Sequence, residues 1–344
     1  MKSLPFDPAL LDTHCIVDVR SPAEFDEDHL PGAVNVPLLD NEERAEIGTI
    51  HKHQGPLEAR RRGLELTAHR FPAMVAQIGA QASGRPILVY CWRGGLRSKT
   101  VVSILDLTGY PAVQLTGGYK SFRAQVVSYF EPFNPPAPLV VFHGMTGIGK
   151  TTFLQKLGHR YPVVDLEGLA CHRGSAFGEV GLRQTLSQKR FETLLWDSFR
   201  RLQPGVPILV EGESRRIGKV SLPGDMYDRM RQSVKVWCQA SLETRVTRLI
   251  AEYGCIEYKE EMERALQRIR KKLGEERYRE IAEHLDRWEL EPFMMRLMAD
   301  YYDKVYYKTR EWQEDAVICL EDFTAAEGEL DLFLNQILGR DRSS

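Results

Sequence analysis

The apolar positions of this chain fall into short runs separated by stretches of helical spacing. Cys15-Ile16-Val17-Asp18-Val19 and Pro86-Ile87-Leu88-Val89-Tyr90 have the length of buried strands, and Gly84 bounds the second upstream. After Tyr90 the residues 99–107 return to helical spacing, with Ser98 as N-cap and Gly109 as stop. Further runs are Leu139-Val140-Val141-Phe142-His143, Tyr161 to Asp165, Pro207 to Glu211, Val234 to Cys238 and Ala316 to Leu320. One helical stretch among them, 185–202, carries Phe191, Leu194, Leu195, Phe199 and Leu202 on one face. Strands alternating with helices predict an α/β chain built on parallel sheets. The proline-rich segment 131–138 reads as a stiff connector, which predicts a first domain over 1–130 and a second over 139–344. The last third is helical and charged.

Length and composition fit that division. A chain of 344 residues, 43% hydrophobic and 27% charged, has enough material for two cores. The net charge of −2 does not advertise nucleic-acid binding, so any such contact must come from local patches. Arg60-Arg61-Arg62, inside a long segment over 38–75, and Arg268 to Lys272 are the candidates. No apolar stretch is long enough to span a membrane, and the start lacks a signal-peptide core, so the expected location is cytoplasmic. The six cysteines are scattered without CxxC or zinc-like spacing, including Cys171 beside His172, and no metal site is expected from them.

The first candidate site is Cys91-Trp92-Arg93-Gly94-Gly95-Leu96-Arg97-Ser98. A thiol at a strand end, on a glycine loop opening a helix, sits where backbone N–H groups form a nest for an anion. Arg93 and Arg97 add positive charge, and the setting favours a thiolate. The plainer alternative is a buried structural cysteine. The spacing Cys-x₅-Arg is shared by cysteine phosphatases and long-loop rhodanese-type sulfurtransferases, and the loop alone does not separate them.

The second site is Gly144-Met145-Thr146-Gly147-Ile148-Gly149-Lys150-Thr151-Thr152, which meets the GxxxxGK[ST] template between a strand and a helix. Its amides would cradle phosphates, Lys150 would reach the terminal ones, and Thr151 could ligate Mg²⁺. Asp165 and Glu211 end strands and are candidates for an acidic metal partner, while Arg215 and Arg216 could clamp phosphates. Phe293, Met294, Met295, Leu297, Met298, Tyr301, Tyr302, Tyr306 and Tyr307 could be core or could line an apolar pocket.

Family resemblance sharpens this reading. Asp18-Val19-Arg20, Glu24-Phe25, His29, Pro31-Gly32-Ala33, Asn35 and Pro37, with Gly109-Tyr110 to Gly117-Gly118, resemble the opening and closing signatures of the rhodanese domain. Asp18 and Arg20 read as a structural ion pair, and His29 as a packed, hydrogen-bonded histidine. The five-residue loop and the segment 38–75 depart from a plain rhodanese. A rhodanese-like domain followed by a P-loop domain, with Val210-Glu211-Gly212-Glu213-Ser214-Arg215-Arg216, resembles the tRNA 2-selenouridine synthase family. That resemblance implies geranylation of wobble 2-thiouridine in tRNA by geranyl diphosphate, then replacement of the S-geranyl group by selenium from selenophosphate. It implies that Cys91 accepts selenium as a selenosulfide, with residues from Trp92 to Arg97 as the selenophosphate cradle. The P-loop, Gly144 and Thr146 to Thr152, would then hold the diphosphate. No tightly bound cofactor is expected, Mg²⁺ is allowed, and a monomer is expected. An ATP-dependent tRNA sulfurtransferase and a Cys-x₅-Arg phosphatase with a nucleotide-binding module stay open as alternatives.

Overall fold

The computed structural model describes residues 2–182, 185–309 and 312–341, and for 307–309 and 338–341 the backbone only. Tyr307, named above, therefore has its side chain outside the described residues. The chain forms two compact units, 1–132 with 189–200, and 133–188 with 201–344. Each is an α/β unit on a parallel sheet, as the alternation predicts.

In the first unit the strands are β1 (Ser3–Leu4), β2 (Cys15–Asp18), β3 (Val34–Asn35), β4 (Ile87–Tyr90) and β5 (Ala112–Leu115), all parallel in the order β1-β5-β4-β2-β3. β2 and β4 are buried along their whole length, which is why they read as unbroken apolar runs. Pro22–Glu27 starts on a capping box made by Ser21 and Glu24, with Pro22 in the first turn. The segment 38–75 is a helical pair, Asn41–His53 and Pro56–Thr67, tied by Arg62 to Glu46 at 2.7 Å.

Beneath the sheet ends lies the Asp18–Arg20 pair, both side chains at most 1% exposed. The guanidinium donates to Asp18 Oδ2 at 2.6 Å and to the Asp28 carbonyl at 2.6 Å, and lies 4.1 Å from the Tyr119 ring centroid. Asn35 Nδ2 donates to the carbonyls of Asp18 and Arg20, at 3.0 Å each. His29 stacks on Phe25 with centroids 3.8 Å apart and bonds the Phe25 carbonyl, so it is a packing histidine.

One helix goes where the linear reading did not put it. Gln188–Arg200 follows the P-loop in sequence, yet its residues 189–200 belong to the first unit. Trp196 meets Phe122 edge-on at 5.5 Å, and Thr193 Oγ1 donates to Asp28 Oδ2 at 2.8 Å, beside the Tyr119 hydroxyl on the same oxygen at 2.8 Å. The amphipathic face is local information; which core it enters is not.

The second unit contains β6 (Leu139–Gly144), β7 (Val163–Val164), β8 (Ile208–Glu211), β9 (Arg216–Ile217), β10 (Val220–Ser221), β11 (Val234–Gln239) and β12 (Ala316–Cys319). Its parallel sheet has the order β12-β11-β6-β8-β7, with the P-loop strand β6 at the centre, and β9–β10 form a separate antiparallel hairpin. The connector is not wholly free, since Phe133 and Ala137 are buried and the Pro138 carbonyl pairs with Ile208 N at 2.9 Å. A helical subdomain follows, cored by Met262, Leu266, Ile269, Ile281, Phe293 and Met294.

Arg20→Met should destabilise the first unit by about 3–5 kcal/mol, because it strands the Asp18 carboxylate in the interior. Asp18→Leu combined with Arg20→Met should recover most of that loss. Urea unfolding followed by tryptophan fluorescence reads both.

Candidate active sites: a thiol loop and a polyphosphate cavity

Cys91 directly follows β4, and its loop rests on the turn after β5. A Cβ at Gly118 (φ +59°) would collide with the Cys91 carbonyl and the Gly94 nitrogen, so this turn admits only glycine. Tyr119 N donates to Cys91 O at 2.8 Å and Lys120 N to Trp92 O at 3.0 Å. With those carbonyls taken up from behind, the Gly95 N–H turns to Cys91 Sγ, at 3.2 Å. Ser98 Oγ is also on the sulfur, at 3.1 Å. The helix begins at Leu96 with Gly95 as its cap residue, so Ser98 is not the N-cap its position suggested.

The open depression over the thiol is lined by Arg44, Cys91, Trp92, Arg93, Gly95, Leu96 and Arg97. Gly94 lies underneath, against Leu115 O. The two loop arginines differ. Arg93 is exposed and makes no ion pair among the described residues. Arg97 is turned to Glu24, with Nη1 on Oε2 at 2.7 Å and Nη2 on Oε1 at 3.3 Å. Burial opposes the Glu24 charge, but Arg97 holds that carboxyl below its ordinary value. Arg97 thus lines the depression with the half-buried Glu24 carboxylate already on its guanidinium, whereas Arg93 carries no such partner. Arg44, from the inserted helix, joins Arg93 on the rim, and no local pattern in the sequence marks it.

The P-loop opens into a cavity of about 1320 Å³. Gly144, Thr146, Gly147, Ile148, Gly149, Lys150, Thr151 and Thr152 all line it, with φ +77° at Gly147 and +85° at Gly149. Two arginines brace the loop from behind, three apart on the helix Leu242–Tyr253. Arg245 Nε donates to Thr146 O at 2.9 Å, and Arg248 Nη1 donates to Ile148 O at 2.6 Å. Arg245 is buried and paired with Asp303 at 2.6 Å, while Arg248 lies on Phe323 and faces the cavity. Sequence reading missed both; two arginines at helical spacing on an otherwise apolar face were the available signal.

Acids crowd this end of the cavity. Thr151 Oγ1 lies 2.5 Å from Glu211 Oε1 and 3.1 Å from Glu167 Oε2. One hydroxyl proton cannot serve both contacts, so a protonated carboxyl must donate one of them. Burial, then the charge of Glu213, pushes Glu167 up to about 8; burial, then the charges of Glu167 and Asp165, pushes Glu211 up to about 8. Burial disfavours the charge on Lys150, but Tyr306, Glu213, Glu167 and Glu211 outweigh it and raise its value. Lys150 Nζ donates to Gly144 O at 3.1 Å.

Other expected residues sort differently. Asp165 caps the helix Leu166–Ala170, accepting from Gly168 N at 2.7 Å, and takes Gln155 Nε2 at 3.0 Å, so its carboxylate is already engaged. Arg215 and Arg216 are exposed at the β9 hairpin and do not line the cavity, because the chain turns outward after Ser214. Among the described residues no group of three or more His, Cys, Asp or Glu is arranged for a metal. The apolar residues of the last third grade from core to cavity: Phe293, Met294, Leu297 and Met298 are core, Tyr301 and Tyr302 belong to or pack on that core and also line the cavity with Tyr253, and Tyr306 and Trp312 line the cavity. A π-helical turn over Met298–Tyr302 lies at this transition, a helix irregularity frequent at functional sites.

Residues 137–331 match the family model described as the tRNA 2-selenouridine synthase AAA domain, and residues 7–125 match the rhodanese-like domain. The chain belongs to the tRNA 2-selenouridine synthase family. A relative of that name from Nitrosomonas europaea is 33% identical over 341 residues, covering 85% of this chain and 88% of its own. One from Cupriavidus pinatubonensis is 34% identical over 90% of this chain and 92% of its own. The signatures of both domains therefore stand for family membership in this synthase relative, beyond what the loops alone could separate.

The acid cluster has a pH signature. Native Glu167 and Glu211 keep protons that the unfolded chain, with ordinary carboxyls, releases. Stability of the ligand-free protein should therefore fall as pH rises from about 5 to about 8. Glu167→Gln should flatten that fall, as read by melting temperature across the same range.

Proposed function

We propose that this chain makes 2-selenouridine in tRNA in two chemical steps: it first geranylates 2-thiouridine at the wobble position and then exchanges the S-geranyl group for selenium. The name of its relatives supports the selenouridine product. The observation that carries the two-step reading is the P-loop cavity itself. Its amides and Lys150 suit a diphosphate, and its Tyr253, Tyr301, Tyr302, Tyr306 and Trp312 wall suits the apolar chain of geranyl diphosphate.

In the first step the thiouridine sulfur attacks the allylic carbon of geranyl diphosphate. The C–O bond breaks and its electron pair leaves on diphosphate. Lys150 and the loop amides stabilise that charge as it develops. Thr151 and Glu211, hydroxyl and carboxyl side by side, would hold a Mg²⁺ that offsets the same charge. ATP hydrolysis is not needed. In the second step the selenium of selenophosphate attacks C2 of the base, the C–S bond breaks and geranyl thiolate leaves with its electron pair, and water then splits the Se–P bond to release phosphate; Arg93 and Arg44 would hold that phosphate beside Cys91. A tRNA substrate is compatible with the cytoplasm; among the described residues no helix is long and apolar enough to cross a membrane.

The expected RNA patches are partly neutralised: Arg61 pairs with Glu58 at 3.0 Å, Arg62 with Glu46, Arg268 with Glu179 at 3.0 Å and Arg270 with Glu275 at 2.6 Å. Arg60, Lys271 and Lys272 stay exposed. Their joint replacement by glutamine should flatten the salt dependence of tRNA binding by less than the length of the basic runs suggests.

Lys150→Ala should lower geranylation on the order of a hundredfold or more, yet keep selenation of tRNA supplied already geranylated. Cys91→Ala should do the reverse. Mass spectrometry of the wobble nucleoside distinguishes the products. Loss of both steps in Lys150→Ala would assign the P-loop to the whole cycle. Wild-type geranylation that stops when ATP is withheld would replace this reading by the nucleotide-dependent one.

A further inference from the structure

The thiol at the end of β4 is tied to a hydrogen-bond chain that ends on the neighbouring strand β5. Ser98 is wholly buried and Gln114, on β5, is 6% exposed. Gln114 Nε2 donates to Gly95 O at 3.1 Å and to Ser98 Oγ at 2.8 Å. Gly95 O also receives the helix N–H of Lys99 at 3.1 Å. Each contact removes a freedom from the next. A backbone carbonyl only accepts, so the Gln114 amide must present its NH₂ to Gly95 O, and the flipped amide would face oxygen with oxygen. That NH₂ then occupies a lone pair of Ser98. The hydroxyl proton cannot point at Gln114. Its other oxygen neighbour, Gly95 O at 3.3 Å, already has two donors, which leaves Cys91 Sγ at 3.1 Å.

We infer that Gln114 is a positioning residue: it sets the Ser98 hydroxyl as a permanent donor to Cys91 Sγ, so that the sulfur holds two donors, Gly95 N–H and Ser98 O–H, whenever it is anionic. The inference rests on Cys91 being the working thiol of the proposed reaction. Without the amide, the hydroxyl would be free to rotate toward the loop carbonyl and the donor would be lost. With it, both donors stay aimed at the sulfur before substrate arrives.

The test is the pH profile of Cys91 alkylation by iodoacetamide in the full chain, quantified on the Cys91 peptide by mass spectrometry. In Ser98→Ala and in Gln114→Leu the profile should move to higher pH, with alkylation near neutral pH slowed on the order of tenfold. The double variant should be no slower than either single one, because both remove the same donor. Gln114→Glu keeps the shape but offers an acceptor that draws the hydroxyl away, and should shift the profile the same way. Buried Cys15, in the same unit, should stay unreactive in every variant and so reports an intact fold; if Gln114→Leu exposes it, Gln114→Glu decides. A wild-type profile in folded Gln114→Leu or Gln114→Glu, alongside a shifted one in Ser98→Ala, would overturn the role of Gln114. A wild-type profile in Ser98→Ala would overturn the whole relay. Alkylation needs no tRNA, so normal selenouridine synthesis by Cys91→Ala would sink the functional reading while leaving this result standing.

Discussion

A loop that aims peptide N–H groups at an anion must find other partners for its carbonyls, and both candidate sites supply them from the protein itself. In the thiol loop the backs are closed by main chain: Tyr119 N and Lys120 N take the carbonyls of Cys91 and Trp92. In the P-loop they are closed by side chains: Arg245 takes Thr146 O and Arg248 takes Ile148 O. Each loop leaves the end of an interior parallel strand, β4 or β6, where strand amides and a following helix already aim donors outward. The glycine at 118 is required because the bracing turn approaches so closely that a side chain would displace it.

Buried charge is arranged to opposite ends in the two units. In the first, Arg20 and Asp18 neutralise each other, and Glu24 is shared by Arg97 at 2.7 Å and Arg44 at 4.0 Å, so the three arginines lining the depression, Arg44, Arg93 and Arg97, are set against one carboxylate. In the second, three carboxyls surround Lys150. Glu167, Glu211 and Glu213 are all pushed toward their neutral forms by burial and by one another, and Lys150 is pushed toward its charged one. A site in that condition is incomplete electrostatically. A diphosphate with a divalent cation, or a change in proton count, would alter every member of it together. That coupling also makes the cavity a poor place for an ordinary structural role, since an apolar core would be more stable than half-neutralised acids.

The chemistry proposed for the chain needs an apolar surface beside a diphosphate site, and the helix that supplies it is irregular where the surface begins. Before the π-helical turn at Met298–Tyr302, the residues Phe293, Met294 and Leu297 belong to the helical core; after it, Val305 and Tyr306 face the cavity. A regular helix would have kept one face throughout. The turn rotates the register so that one helix serves both purposes.

What the sequence determined by itself is whatever local pattern encodes. Strand-length apolar runs, the glycine loops with their lysine or cysteine, and the α/β class with parallel sheets follow from spacing and residue type. The carrying motifs sit at strand ends for the same reason. Tertiary structure decided the rest, because the deciding contacts are long-range. Arg97 reaches Glu24, 73 residues away, while it lines the depression; Ser98 meets Gln114 and the thiol in place of capping a helix. Residues 189–200 read as an amphipathic helix in either setting, and only packing against Phe6, Phe122 and Asp28 assigns them to the first unit. Charged and small polar side chains carry too little local signal to name their partners, whereas apolar periodicity and glycine conformations carry enough to name their elements.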